Sequence, residues 1–213
     1  LVIRWYLHEL VFPQVLRASP AKLSCSGQAL GSDMLFGLRF GFSGTPSSLL
    51  PVDLGQCQYE KLTEGRFFAT LSHPGTVAVR VLHNWTLPKL LRLVASSLSP
   101  LFSALIDLGA LFTGLSNQQV AEALLTQGLQ SFKGVVFLGP ADEELVLIRG
   151  RYHPIPLKNC GLRPEQRFTF YDQAHTTGVD IKQAPNACAA VTLGKKVTFR
   201  DFAQACWRLR ELE

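Results

Sequence analysis

The sequence has few charged residues, no closely spaced cysteines and no long uninterrupted apolar segment. Only 17% of its 213 residues are charged and 47% are hydrophobic, which excludes a disordered polar tail and predicts a sizeable core. The five cysteines form no C-x-x-C pair, which argues against a disulfide framework and against a structural zinc site. We therefore expect no metal site and an intracellular protein, cytoplasmic or nuclear.

Signals for a membrane and for export are also missing. The most apolar run, residues 98–115, is interrupted by Pro100 and Asp107, so we expect buried core and no membrane partner. No signal peptide precedes the first predicted element. The chain begins at Leu1 and ends inside a helical pattern at Glu213. We interpret it as a segment of a longer protein, whose remaining domains are expected partners.

The net charge of +5 and the pI near 9.1 come from basic residues that are scattered along the chain. Affinity for polyanions is compatible with this surplus, but a nucleic-acid interface would need a clustered basic face. The charge pattern therefore leaves nucleic acid open as a partner without supporting it.

Apolar periodicity predicts alternating strands and helices in the second part of the chain. "SALIDLGAL", "KGVVFLG", "RFTFY" and "CAAVTLG" predict strands, "ELVLIRGRYHPIPL" predicts a hairpin, and "SNQQVAEALLTQGL" predicts a helix. Upstream, Arg39–Phe42 and "TVAVRVL" at 76–82 predict two further strands. We expect an α/β fold with a RecA-like parallel sheet flanked by helices at 85–213, preceded at 1–84 by the tail of another lobe and a linker.

Polar clusters follow several predicted strands, where ligands collect in parallel α/β sheets. They are "SGTP" at 43–46, "DQAHTTGVD" at 172–180 and "LGKK" at 193–196, and the last helix adds Gln204, Arg208 and Arg210. Gln204 and Arg208 are four residues apart and share a helical face, whereas Arg210 points elsewhere.

The order of these clusters resembles the motif order of superfamily-two helicases. In that family the turn ends the first RecA-like lobe, while the T-x-G-x-D loop and the Gln/Arg helix belong to the second. The resemblance implies contact with nucleotide or phosphate, and ATP with Mg²⁺ as cofactor, for Ser43, Gly44, Thr45, Thr177, Gly178, Asp180, Gln204, Arg208 and Arg210. No G-x-x-x-x-G-K-[ST] loop occurs in the chain, and otherwise the sequence assigns no cofactor.

A second interpretation is nucleophilic catalysis by a thiol. It needs a cysteine beside a histidine that a third polar group orients. His175 with Asp172 is the candidate base and its orienting acid, and Cys25, between small polar residues, is the best candidate nucleophile. A histidine that is merely hydrogen-bonded in a turn is the alternative for His175.

The same segments also resemble the C-terminal region of very large eukaryotic proteins grouped with ubiquitin thioesterases. The similar stretches are "GFSGTPSSLLP", "LIDLGALFTGLSNQQVAEALL", "FYDQAHTTGVDIKQ" and "VTLGKKVTFRDFAQACWRLREL". This resemblance implies a fragment of a large cysteine-type hydrolase that acts on ubiquitin conjugates, with ubiquitin or its conjugates as partners. An NTPase or translocase lobe and a degenerate, non-catalytic binding lobe remain the alternatives.

Overall fold

The computed structural model describes residues 22–24, 39–41, 63–176, 178–179 and 181–209. The chain divides into two compact units, residues 1–78 with 212–213 and residues 79–211. In the first unit, strand β1 (Lys22–Ser24) pairs in parallel with β2 (Arg39–Gly41), and helix α1 (Thr63–Ser72) follows. The strand predicted at Arg39 is therefore confirmed.

In its described residues, the second unit contains a six-stranded sheet and three α-helices. In chain order its elements are α2 (Leu87–Ala95), β3 (Ala104–Ile106), α3 (Asn117–Gln127), β4 (Gly134–Leu138), β5 (Glu144–Ile148), β6 (Ile155–Pro156), β7 (Arg167–Tyr171), β8 (Ala189–Val191) and α4 (Phe199–Cys206). The strand order is β6-β5-β4-β7-β3-β8. Strands β4, β7, β3 and β8 are parallel, and β5 runs antiparallel to β4 and β6. The predicted α/β class and mostly parallel sheet are confirmed.

Short local signals fix the ends of α3. The Ser116 side chain accepts a hydrogen bond from the Gln119 backbone N–H at 3.2 Å, and the Gln119 side chain accepts one from the Ser116 N–H at 2.8 Å. This capping box satisfies two of the donors that a helix leaves free at its start. The helix ends before Gly128, as predicted.

Helices cover both faces of the sheet. Leu105 of β3 lies in a core cluster with residues of α2 and α3, such as Val94 and Leu124. The next residue, Ile106, lies in a second cluster with Ala205 of α4. Neighbouring residues of a strand point to opposite faces, so α2 and α3 cover one face and α4 covers the other. This arrangement explains why β4 is a continuous apolar run that is buried along its whole length.

The predicted hairpin forms the edge of the sheet and is tied to α3 by Arg149. The Arg149 guanidinium donates hydrogen bonds to the carbonyl oxygens of Leu125, Gly128 and Leu129 at 2.9, 2.9 and 2.8 Å. These carbonyls lie at the carboxyl end of α3, where carbonyl groups lack intrahelical partners and cations are favoured.

One predicted strand is wrong. Residues 77–82 belong to no helix or strand, and Val79 and Val81 are 80% and 72% exposed. Alternating valines suit a strand, but a strand also needs a neighbour for its backbone hydrogen bonds. No strand among the described residues pairs with this segment.

No helix in the described part of the chain has the length and apolar character needed to cross a membrane.

Candidate functional site: the crevice between strands β3 and β8

The two neighbouring parallel strands β3 and β8 send the chain to opposite faces of the sheet. After β3 the chain continues to α3 on one face, and after β8 it continues to α4 on the other. In open α/β sheets such a divergence opens a crevice beyond the carboxyl ends of the strands, which is the usual ligand site.

A cavity of about 530 Å³ lies at this crevice. Its walls come from the loop after β3 (Leu108, Gly109, Ala110), the loop after β7 (Gln173, Thr176), the loop after β8 (Gly194, Lys195, Lys196, Val197) and Asp201 of α4. The volume is in the range of small-molecule sites, which is roughly 300–1,000 Å³. Two of the three polar clusters predicted at strand ends thus meet at one cavity.

The loop after β3 is held by the buried carboxylate of Asp107. Its Oδ1 accepts a hydrogen bond from the Leu111 N–H at 2.9 Å, and its Oδ2 accepts one from the Phe112 N–H at 3.0 Å. The Thr192 hydroxyl donates to Oδ1 at 2.6 Å and accepts from the Gly109 N–H at 2.9 Å. Asp107 and Thr192 therefore link the loops after β3 and β8 beneath the cavity. Their hydrogen bonds occupy the backbone N–H groups of Gly109, Leu111 and Phe112 in the β3 loop.

Backbone packing at Gly109 leaves no room for a side chain, and packing at Gly194 is tight. A Cβ atom on Gly109 would lie 2.9 Å from the carbonyl carbon of Leu193, and one on Gly194 would lie 3.1 Å from the Gly109 oxygen. Ala110 beside them has φ +53°, a left-handed conformation that is unfavourable for a residue with a Cβ. Close backbone contacts therefore determine the shape of this wall of the cavity.

The loop after β8 carries the positive charge of the cavity. The Val197 N–H donates to the Gly194 carbonyl oxygen at 3.3 Å, which closes a β-turn with Lys195 and Lys196 at its tip. Both lysines are exposed. Neither ammonium group has a hydrogen-bond or ion-pair partner among the described residues.

His175 lies in the loop after β7 between two carboxylates. Its Nδ1 is 2.5 Å from Oδ1 of Asp172, and its Nε2 is 2.9 Å from Oδ1 of Asp142 in the loop between β4 and β5. Burial lowers the pKa of His175, but the hydrogen bonds and charges of Asp172 and Asp142 outweigh this effect and raise the pKa above 6.5. The geometry thus favours an imidazolium whose two N–H groups both donate.

Two of the described cysteines, Cys188 and Cys206, are not activated thiols. Burial raises the pKa of Cys206 to about 12 and also raises the pKa of Cys188. Cysteine nucleophiles act as thiolates and need a lowered pKa. The predicted partner of His175, Cys25, lies outside the described residues.

The helicase-like residues of the described part lie on two segments that touch. The Arg208 guanidinium donates a hydrogen bond to the Val179 carbonyl oxygen, next to Gly178, which has φ +79°. Gln204 is on α4, whereas Arg208 follows in a short 3-10 helix, Trp207–Leu209. Ser43, Gly44, Thr45, Thr177, Asp180 and Arg210 lie outside the described residues.

Several residues that line the cavity, or lie directly beneath it, had no predicted role. Asp107, Gly109, Ala110 and Thr192 were not singled out, and Lys195 and Lys196 belonged to a polar cluster without an assigned function. The available signal was an acid directly after a buried strand, followed by glycine in "IDLGA". No three metal-ligating side chains cluster in the described part of the chain.

The chain was compared with known proteins at three levels. It matches no protein-family model, no curated protein and no solved structure.

Proposed function

We propose that residues 79–211 form a RecA-like second lobe of a helicase-type NTPase or translocase and contribute residues to a nucleotide site. The observation that carries this proposal is the cavity between β3 and β8, at the carboxyl ends of parallel strands and where the connections diverge. Nucleotides are bound at this place in open α/β sheets.

The contact between Arg208 and the 178–179 loop supports the same proposal. In the helicases that the motif order resembles, the T-x-G-x-D loop and the Gln/Arg helix belong to the same RecA-like lobe. Here the Arg208 side chain joins these two segments through the Val179 carbonyl. Its Nη2 group has no hydrogen-bond partner in the described part of the chain, whereas its Nε is buried. A guanidinium with donors left over is suited to a γ-phosphate.

The proposed role is binding and not complete hydrolysis by this segment. The chain has no G-x-x-x-x-G-K-[ST] loop, which in P-loop NTPases cradles the phosphates and supplies a ligand for Mg²⁺. Lys195, Lys196 and Arg208 are cations suited to phosphate oxygens. Ligands for Mg²⁺ would come from residues outside those described or from other domains of a longer protein.

The test is a titration of the 213-residue chain with ATP and ADP, followed by backbone amide NMR. We expect saturable shifts in the loops after β3, β7 and β8. Arg208→Lys should weaken binding about tenfold, because a lysine cannot reproduce the planar, multidentate guanidinium. Arg151→Lys is the matched control, since Arg151 is exposed and far along the chain at the hairpin. Shifts confined to other surfaces, or an equal effect of both variants, would contradict the proposal.

The pair of Asp172 and His175 supports a second candidate, a thiol-dependent hydrolase acting on ubiquitin conjugates. Asp172 orients Nδ1 of His175 at 2.5 Å, as the acid of a catalytic triad does. In this proposal Asp142, which is 79% exposed on the hairpin, moves away from Nε2 of His175, and Nε2 loses its proton and then accepts the proton of a thiol. The proposed nucleophile is Cys25 or a cysteine of another domain, and Cys188 and Cys206, whose pKa values are raised, are poor candidates.

A ubiquitin probe with a thiol-reactive C-terminus tests this second candidate. The probe should label the protein, and labelling should fall strongly in the His175→Ala variant. Asp142→Ala is the matched control, which should keep its labelling because it frees Nε2 of His175 and leaves the imidazole in place. Labelling that survives both His175→Ala and replacement of every cysteine in the chain would place the chemistry elsewhere.

A further inference from the structure

We infer that the turn at residues 193–196 is a polyphosphate-binding site, which recognises the phosphate chain of its ligand and not a nucleobase. The inference uses the cavity on which the proposed nucleotide function rests. It goes further because it assigns the phosphate contacts to a turn outside the helicase-like motifs, and it holds for any ligand with linked phosphate groups.

The first argument is the unused hydrogen-bonding capacity of the turn. Within the described residues, the backbone N–H groups of Leu193, Gly194, Lys195 and Lys196 have no hydrogen-bond acceptor. Successive free amides in a turn form a concave anion site. The loop after β3 lacks this capacity, because Asp107 and Thr192 accept the N–H groups of Gly109, Leu111 and Phe112.

The second argument is charge. Gly194, Lys195 and Lys196 all line the cavity, and the two ammonium groups have no acidic partner among the described residues. Among the described residues, Asp201 supplies the one carboxylate that lines the cavity. Its Oδ2 already accepts hydrogen bonds from the Thr198 N–H at 3.0 Å and the Thr198 hydroxyl at 2.7 Å. The described lining of the cavity thus carries two ammonium groups without partners and one carboxylate, which is hydrogen-bonded within the cap of α4.

The third argument is that the turn is held in place without a ligand. The close approach of Gly194 to Gly109 fixes its base, and the Thr192 hydroxyl bonds Asp107 immediately before it. Helix α4 begins directly after it, at Phe199, so that the positive end of the helix dipole lies on the same side. A site with rigid donors loses little entropy on binding.

Linked phosphates fit this site better than a carboxylate or a single phosphate. The cavity of about 530 Å³ is much larger than one anion, and its cationic side is formed by two adjacent side chains. Each lysine can meet a different phosphate group while the amides of the turn meet the oxygens between them.

Inorganic tripolyphosphate, titrated into the 213-residue chain, tests the inference. We expect saturable binding with amide shifts at residues 193–197. The Lys195→Ala/Lys196→Ala variant should bind about a hundredfold more weakly, from roughly tenfold for each charge-assisted hydrogen bond. The Lys89→Ala/Lys158→Ala variant removes the same charge from exposed positions elsewhere and should bind as the unmodified chain does. An equal loss in both double variants would overturn the site.

A second pair of variants separates the backbone donor from the side chain. Lys195 is the second residue of the β-turn that the Val197 N–H and the Gly194 carbonyl oxygen close, a position where proline is well tolerated. Lys195→Pro removes the ammonium group and the N–H, whereas Lys195→Ala removes the ammonium group alone. We expect the proline variant to bind tripolyphosphate several-fold more weakly than the alanine variant, with an unchanged melting temperature. Equal affinities would show that the amide does not take part.

The two proposals fail in different ways. Binding of tripolyphosphate and of ATP that depends on Lys195 and Lys196 but is unchanged in Arg208→Lys would support the inference and contradict the nucleotide function. ATP binding that is unchanged in the Lys195→Ala/Lys196→Ala variant would support the nucleotide function and overturn the inference.

Discussion

At the scale of single residues, the wall of the cavity depends on Gly109, which nothing larger can replace unless backbone atoms move. Gly109 contacts the backbone of Leu193 and Gly194, and its N–H donates to the Thr192 hydroxyl. Backbone atoms cannot move aside as a flexible side chain can. The glycine is therefore required by packing between two loops and not by its own backbone conformation.

Replacing Gly109 by alanine should lower the free energy of unfolding by about 2 kcal/mol or more, because the new Cβ would overlap backbone atoms. Urea denaturation measures the change. The control is Gly65→Ala in α1, where a Cβ has nothing within 4 Å and alanine favours the helix by about 0.5–1 kcal/mol. A Gly109→Ala variant as stable as the control would contradict the packing argument.

His175 makes stability depend on pH. Its pKa is raised in the folded protein by Asp172 and Asp142, against the effect of burial. The stabilisation of the folded state by His175 is therefore fully present below the pKa of the unfolded chain, which is near 6.5. It is lost as the pH rises through the higher pKa of His175 in the folded protein. The stability difference between the unmodified chain and His175→Gln should be larger near pH 6 than near pH 9.

NMR titration of the His175 ring checks this expectation directly. Asp142→Asn should lower the pKa of His175, because one of the two negative charges beside the ring is removed. The asparagine side chain can still hydrogen-bond to Nε2 of His175. A pKa of His175 below 6.5 in the unmodified chain would show that burial outweighs the two carboxylates.

At the scale of secondary structure, Arg149 joins two elements that are separate in sequence. It projects from the hairpin edge and donates to three carbonyls at the end of α3. Hydrogen bonds from charged groups contribute more than neutral ones. Within the described residues the carbonyls of Leu125 and Gly128 have no other partner, whereas that of Leu129 also accepts from the Phe132 N–H.

Arg149→Met should therefore cost about 2–3 kcal/mol of stability. Arg149→Lys should recover only part of this loss, because one ammonium group cannot span three carbonyls as a guanidinium does. Arg151→Met, two residues away and exposed, should change stability by less than about 0.5 kcal/mol. Thermal and urea unfolding compare the three variants, and equal stabilities of Arg149→Met and Arg151→Met would contradict the proposed role.

At the scale of the whole molecule, one central strand joins the cores on both faces of the sheet. Leu105 and Ile106 of β3 are fully buried but belong to different core clusters. Both faces of residues 79–211 should consequently unfold together, since neither core can be lost without removing this strand.

Leu105→Ala and Ile106→Ala should each cost about 2–5 kcal/mol and lower the same transition. The methyl NMR signals of Val120 and Val146, buried in the first and second cluster respectively, report the two faces separately. Midpoints that diverge between the two methyl groups in either variant would indicate independent cores.

The amino-acid sequence by itself determined the local elements of the second unit. Ser116 and Gly128 gave the ends of α3, and the apolar runs of β4 and β7 gave buried strands, because capping and periodicity act between residues close in the chain. The same local logic failed at 77–82, where a strand-like pattern lacks a paired neighbour among the described residues.

Only the tertiary structure decided which strand ends meet. The strand order places β8 beside β3, although about eighty residues separate Ile106 from Val191, and this pairing brings Thr192 to Asp107 and Lys195 to the loop after β3. It also places Asp142 of a distant hairpin against His175. Such contacts follow from the strand order of the sheet, and the strand order depends on the packing of all the elements at once. The sequence around each residue therefore does not show which distant residue it will contact.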